Sequence, residues 1–76
     1  MIKVKLYGLL RLDSGIKERQ MEAGSVREVY AQLMGLGLSG KNLDGCVILV
    51  NGKPTNKRQK LNEGDLVQLL PPVAGG

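Results

Sequence analysis

The sequence contains no histidine, no tryptophan and no phenylalanine, and it has a single cysteine. Without histidine there is no imidazole base, no Ser–His or Cys–His pair, and no His ligand for zinc. One cysteine excludes an internal disulfide framework and agrees with a reducing cytoplasm. The two tyrosines are the only aromatics, too few for the stacking platform that single-stranded nucleic acid needs. No apolar run approaches the roughly 20 residues that span a bilayer. Met1 to Lys5 alternates apolar and basic residues and lacks the charged head and apolar core of a signal peptide. The expectation is a cytoplasmic protein with no catalytic side chains, no bound metal or cofactor, and neither nucleic acid nor membrane as partner.

What is present suits one small globular domain. Of 76 residues, 42% are hydrophobic and 24% charged, the balance of a soluble fold. A chain this short buries only about 60% of its extended surface, so its stability should be modest. The net charge of +4 admits an anionic partner surface or simple solubility.

Along the chain, Ile2, Val4 and Leu6 alternate with Lys3 and Lys5, the period of a strand with one buried face. Tyr7, Leu9 and Leu10 read as its extension or as the start of a turn. Asp13-Ser14-Gly15 is a turn cluster, and Ile16 to Met21 reads as a charged second strand completing a hairpin. Ser25 stands three residues before Glu28, a capping box that opens a helix. Val26, Val29, Tyr30, Leu33 and Met34 then recur at helical spacing, and Arg27, Glu28 and Gln32 are expected to face water. The helix should cover about 25–36, followed by a glycine-rich loop to Gly45. Cys46 to Val50 reads as a central strand. Asn51-Gly52 is a hairpin signal, and Pro54 confines the next strand to an edge. Lys57, Arg58 and Lys60 form a polar connection with Leu61 as core anchor. A turn at Asn62–Asp65 leads to the last strand, Leu66 to Leu70. The expected fold is an α+β roll: a mixed sheet of four to five strands with one main helix on one face. The opposite face is left uncovered, as a partner surface would be.

The remaining stretch, 71–76, reads as a tail on a 1–70 domain. Pro71 and Pro72 have fixed φ and no N–H, so they end sheet pairing and hold the exit extended. Val73, Ala74, Gly75 and Gly76 follow, and Gly76 is expected to present a free α-carboxylate. Glycine fits a narrow slot where any side chain would clash. The six residues span roughly 18–20 Å at about 3.1–3.3 Å each, enough to reach into another protein's active site. The alternative is a frayed terminus.

These residues carry a family resemblance. The order of elements resembles the ubiquitin-like β-grasp. Leu6-Tyr7-Gly8-Leu9-Leu10-Arg11, Val50-Asn51-Gly52, Glu63-Gly64-Asp65 and the Pro71–Gly76 ending resemble the MoaD/ThiS sulfur carriers, most closely on the molybdopterin synthase small-subunit side. The resemblance implies a carrier and not an enzyme. A ubiquitin-activating-type (MoeB-like) enzyme, using ATP and Mg, would adenylate the Gly76 carboxylate. Sulfur from a donor persulfide would displace AMP and leave a thiocarboxylate. The Pro71, Pro72, Val73, Ala74, Gly75, Gly76 tail would then insert into a large, MoaE-like synthase subunit, where the sulfur builds the dithiolene of molybdopterin. Two departures from the family pattern are visible: Leu69 and Leu70 stand where members often carry aromatics, and the net charge is positive. The same chemistry would serve a sulfur carrier of another pathway (thiamine thiazole, tungsten-pterin or amino acid) or a modifier conjugated to lysines.

Three further groups admit two readings each. Cys46 is either a sulfur-relay thiol or a buried structural residue. Lys57, Arg58 and Lys60 either contact anionic groups or form a solvated loop. Leu66 and Leu70 share one parity of the last strand and Leu69 the other, so one set should point away from the helix and serve as the partner interface.

Overall fold

The computed structural model describes residues 1–71. Eight elements follow one another: β1 (Ile2–Leu6), α1 (Gly8–Ser14), β2 (Glu18–Met21), α2 (Val26–Gly35), α3 (Gly40–Asp44), β3 (Val47–Val50), β4 (Lys53–Thr55) and β5 (Leu66–Leu70). The strands form one mixed sheet in the order β2-β1-β5-β3-β4. β5 lies in the middle, parallel to β1 and antiparallel to β3. The sheet and its crossing helix make the β-grasp roll.

The alternation in β1 determines its two faces. Ile2, Val4 and Leu6 are buried while Lys3 and Lys5 lie on the other side. Val67 and Leu69 of β5 and Ile48 and Val50 of β3 join them in the core. α2 covers this face with Val26, Val29, Tyr30 and Leu33. Its start is the predicted capping box: the Glu28 amide donates to Ser25 Oγ at 3.3 Å, and Glu28 Oε2 accepts from the Gly24 amide at 3.1 Å. Asn51 and Gly52 make the β3–β4 hairpin with φ of 53° and 83°, as a primed turn requires.

Three expectations are corrected. Gly8 to Ser14 is neither strand nor turn but a short helix. Leu10 is buried under it, and Gly15 closes it in the left-handed conformation with its amide on the Arg11 carbonyl. Leu9-Leu10-Arg11-Leu12 are strong helix formers and a left-handed glycine is a common stop, but seven residues are too few for a helical period to stand out. The glycine-rich stretch after α2 likewise contains a turn of helix, α3, which inserts Leu43 into the core. The phenol of Tyr30 donates to the Leu43 carbonyl at 3.0 Å and fixes α3 against α2. Finally, Met34 is exposed. It is the last residue but one of α2, which ends at Gly35, while Leu33 before it is buried.

Candidate functional site

The place where the chain leaves the sheet is built by the C-terminal end of β5 and its two neighbours. Leu69 is in register with Leu6 of β1 and with Ile48 of β3, and Leu70 is paired with Val47. Just beyond β1, the Tyr7 amide donates to the Leu69 carbonyl at 3.2 Å. On the open face, Gln68 Nε2 donates to the Tyr7 hydroxyl at 2.7 Å. Both hydrogen bonds tie the end of β5 to the start of α1, so the root of the tail is held on two strands and a helix.

Gly8 completes this root. Its φ is +57°, and a Cβ built there would lie 2.7 Å from Pro71 Cγ. Only glycine adopts that backbone conformation freely and allows the proline ring so close. Pro71 also borders a notch of about 190 Å³ between α1 and α3, lined by Leu9, Leu10, Lys41, Asn42 and Gly45. Leu9 and Leu12 of α1 are 66% and 77% exposed, and Val47 is 50% exposed. Leu9 borders Pro71 in this notch and Val47 is paired with Leu70 on the strand before it, so apolar side chains rim the root on both sides.

The open face of the sheet divides in two. Toward β2 it is charged, with Lys3 and Lys5 reaching Glu18 at 3.7 and 3.8 Å. Toward β3 it is apolar, with Val47 and Leu49 beside Leu70, Gln68 and Pro54. The predicted interface residues Leu66 and Leu70 do share this face and both are half-buried. They are not neighbours, however. Leu66 sits beside Lys3, its carbonyl accepting from the Asn51 amide, about 13 Å along the strand from Leu70. Leu70 belongs to the apolar half and continues into the tail root.

Of the predicted tail, Pro71 is described; Pro72, Val73, Ala74, Gly75 and Gly76 lie outside the described residues. Sequence reading missed Gly8, Val47 and the exposed Leu9 of α1 as parts of the site. The period-2 alternation of Val47 and Leu49 against Ile48 and Val50 was hidden because all four are apolar. Cys46 lies just before β3, half-buried against the core. Its Sγ donates to the Asn42 carbonyl at 3.2 Å, and burial pushes its thiol up. Among the described residues no cluster of His, Cys, Asp or Glu could hold a metal ion, and no helix is long and apolar enough to cross a membrane.

Five strands with α2 crossing one face are the architecture of a ubiquitin-like β-grasp protein, and comparison with known proteins places the chain in the sulfur-carrier and modifier class. The ThiS family model matches residues 4–76, and the chain belongs to that family. No curated protein matches it significantly. Among solved structures it is similar to the small archaeal modifier protein 1 of Haloferax volcanii, with a TM-score of 0.84 and 23% identity over 99% of this chain and 98% of that one. It is also similar to a chain in the complex of subunits 1 and 2 of molybdopterin-converting factor from Helicobacter pylori, with a TM-score of 0.75 and 28% identity over 99% and 97%. CysO of Mycobacterium tuberculosis shares the fold at a TM-score of 0.78 and 21% identity over 96% and 100%.

Proposed function

We propose that this protein is the sulfur carrier of a molybdopterin synthase, with the Gly76 carboxylate as its one reacting group. A MoeB-like enzyme binds ATP and Mg, and the Gly76 carboxylate attacks the α-phosphate and releases pyrophosphate. A carboxylate is a poor electrophile until one oxygen becomes part of such a phosphoanhydride. A donor persulfide then attacks the acyl carbon and AMP leaves; a second thiol of the donor attacks the donor cysteine's sulfur in the acyl disulfide, forming a disulfide on the donor and freeing the thiocarboxylate. The tail from Pro71 to Gly76 carries that sulfur into a large MoaE-like subunit. This chain contributes reach, shape and the acyl end, and its partners supply the catalytic side chains.

The single observation behind the reading is the anchored tail root: a proline seated on a left-handed glycine, at the end of a central strand, within a ThiS-family match that runs through Gly76. The 28% identity to the Helicobacter pylori converting-factor chain supports the molybdopterin branch, and similarity to the small archaeal modifier protein 1 makes a lysine modifier the alternative. The apolar rim of Leu9, Val47 and Leu70 is the surface on which the partners rest while the tail is threaded. The test is intact mass spectrometry after incubation with the adenylating enzyme, ATP and a persulfide donor. The reading predicts a mass gain equal to one oxygen exchanged for sulfur, at Gly76. Lysine isopeptides of Gly76 in cells, with no thiocarboxylate, would assign the protein to modifiers instead.

A further inference from the structure

A second surface of the molecule takes no part in the tail chemistry. Arg27 opens α2, and Lys57, Arg58 and Lys60 come from the connection between β4 and β5. With Ser25 they line an open concavity of about 390 Å³ that has no acidic side chain in its wall. Four cations are thereby concentrated on one patch of a 76-residue chain.

Backbone hydrogen bonds hold the patch in place. Ser25 and Lys60 form an isolated antiparallel bridge. The Val26 amide donates to the Gln59 carbonyl at 2.9 Å and the Arg27 amide to the Lys57 carbonyl at 3.1 Å. Asn56 Oδ1 accepts from the Arg58 amide at 2.8 Å and closes the turn. Of the four, Lys57 has an acidic neighbour among the described residues: its Nζ lies 2.8 Å from Asp44 in an exposed pair and 5.1 Å from the centre of the Tyr30 ring. Among the described residues, Arg27, Arg58 and Lys60 form no ion pair. Like charges fixed this close repel one another and weaken the fold unless an anion offsets them.

We propose that Arg27, Lys57, Arg58 and Lys60 form a docking surface for an acidic segment of a protein partner. Three observations select carboxylates on a peptide over phosphate or nucleic acid. The amides at the start of α2 already have acceptors on Ser25, Lys57 and Gln59, so no amide cradle is left for a phosphate. The nearest aromatic ring, Tyr30, is buried and has Lys57 above it, so no base can stack there. The recognising groups are two guanidinium and two ammonium groups around an open hollow, which suits several carboxylates spread along a chain. Such a surface mainly accelerates and orients docking, and its effect falls with salt. It shares no residue with the tail root, so a partner can use both at once, and it does not depend on the proposed sulfur chemistry.

The test uses the full chain and a fluorescein-labelled oligoglutamate peptide, read by anisotropy at low and at high salt. Arg27→Gln/Arg58→Gln/Lys60→Gln is compared with Lys17→Gln/Arg19→Gln/Lys41→Gln, which removes the same charge elsewhere. The first should weaken binding by about tenfold or more and the second by less than about twofold, with binding by the wild type falling as salt rises. All six positions are exposed, so both variants should melt as cooperatively as the wild type. The single Arg58→Gln should show part of the same loss and serves if the triple variant misfolds. Equal weakening by both triple variants, or no binding of the peptide, would overturn the proposal. Tighter binding of a labelled single-stranded oligonucleotide with the same dependence on the patch would overturn it in favour of nucleic acid.

Discussion

Gly8 and Pro71 lie at opposite ends of the sequence and touch where no Cβ fits: the position that any other residue's Cβ would occupy is 2.7 Å from Pro71 Cγ. One glycine near the start of the chain therefore sets where the last strand hands over to the tail. The contact is local, and under the proposed function its consequence would be felt at Gly76.

Gly8→Ala should be a positional defect more than a folding defect. The left-handed backbone costs a residue with a side chain about 1–2 kcal/mol, and the methyl displaces the proline ring. A shift of about 1 Å in a reacting group is enough for a 10²-fold loss. Steady-state adenylation should show that loss mainly in kcat/KM, and Gly8→Ala/Pro71→Ala should recover part of it by making room. A double variant no better than Gly8→Ala would mean that the contact does not position the tail.

Val47→Glu and Leu70→Glu should each weaken binding to the large subunit by about 1–3 kcal/mol, because both side chains sit on the apolar rim. Leu66→Glu should cost clearly less, since Leu66 lies beside Lys3 at the far end of β5. Calorimetry with the large subunit measures the affinities, and a melt of each variant alone checks the fold. An equal loss at all three positions would spread the interface over the whole open face.

Cys46 should behave as a packing residue. Burial pushes its thiol up, so at neutral pH it is protonated and a poor nucleophile. Alkylation by iodoacetamide should be slower in the folded protein than in denaturant. Cys46→Ala should lose some stability and still become thiocarboxylated. A folded Cys46→Ala protein that accepts no sulfur would make the thiol a relay.

Tyr30 gives the fold an alkaline limit. Its phenol is pushed up from 10.0 to about 12, first by burial and then by Cys46 and Asp44. The folded state thus holds a proton that the unfolded chain releases above pH 10. That contribution to stability is full below the unfolded value of 10.0 and is lost as pH rises toward about 12. Tyr30→Phe should lose about 1 kcal/mol through the bond to Leu43 and should flatten this alkaline fall. Chemical denaturation at a series of alkaline pH values measures both effects, and an unchanged slope in Tyr30→Phe would assign the fall to another group.

Most of the fold was legible in the sequence, because the signals were strong and local. The alternation at Ile2–Leu6 gave a strand, Ser25 with Glu28 a helix start, and Asn51-Gly52 a hairpin. The short helices were not legible. α1 and α3 have seven and five residues, and their stability comes from burying Leu10 and Leu43, a tertiary contact that no short window contains. The tail was read from its residue types alone. Its root was not, because the closeness of Gly8 to Pro71 exists only once β1 and β5 lie side by side. Leu66 and Leu70 were correctly placed on one face, but their separation into a charged and an apolar half depends on Lys3 and Val47 in neighbouring strands.

The proposed function makes the Gly76 carboxylate the working group and requires it to arrive at one fixed point of the adenylating enzyme. ATP–pyrophosphate exchange by the adenylating enzyme tests this directly on three variants: one lacking Gly76, one extended by a single residue, and Gly75→Val. Removing or adding one residue shifts the carboxylate by about 3.3 Å, and valine adds a branched Cβ inside the slot. All three should melt like the wild type and should lose exchange, while the wild type exchanges and then gains sulfur at Gly76. Exchange at wild-type rates by the shortened and extended chains would contradict the account.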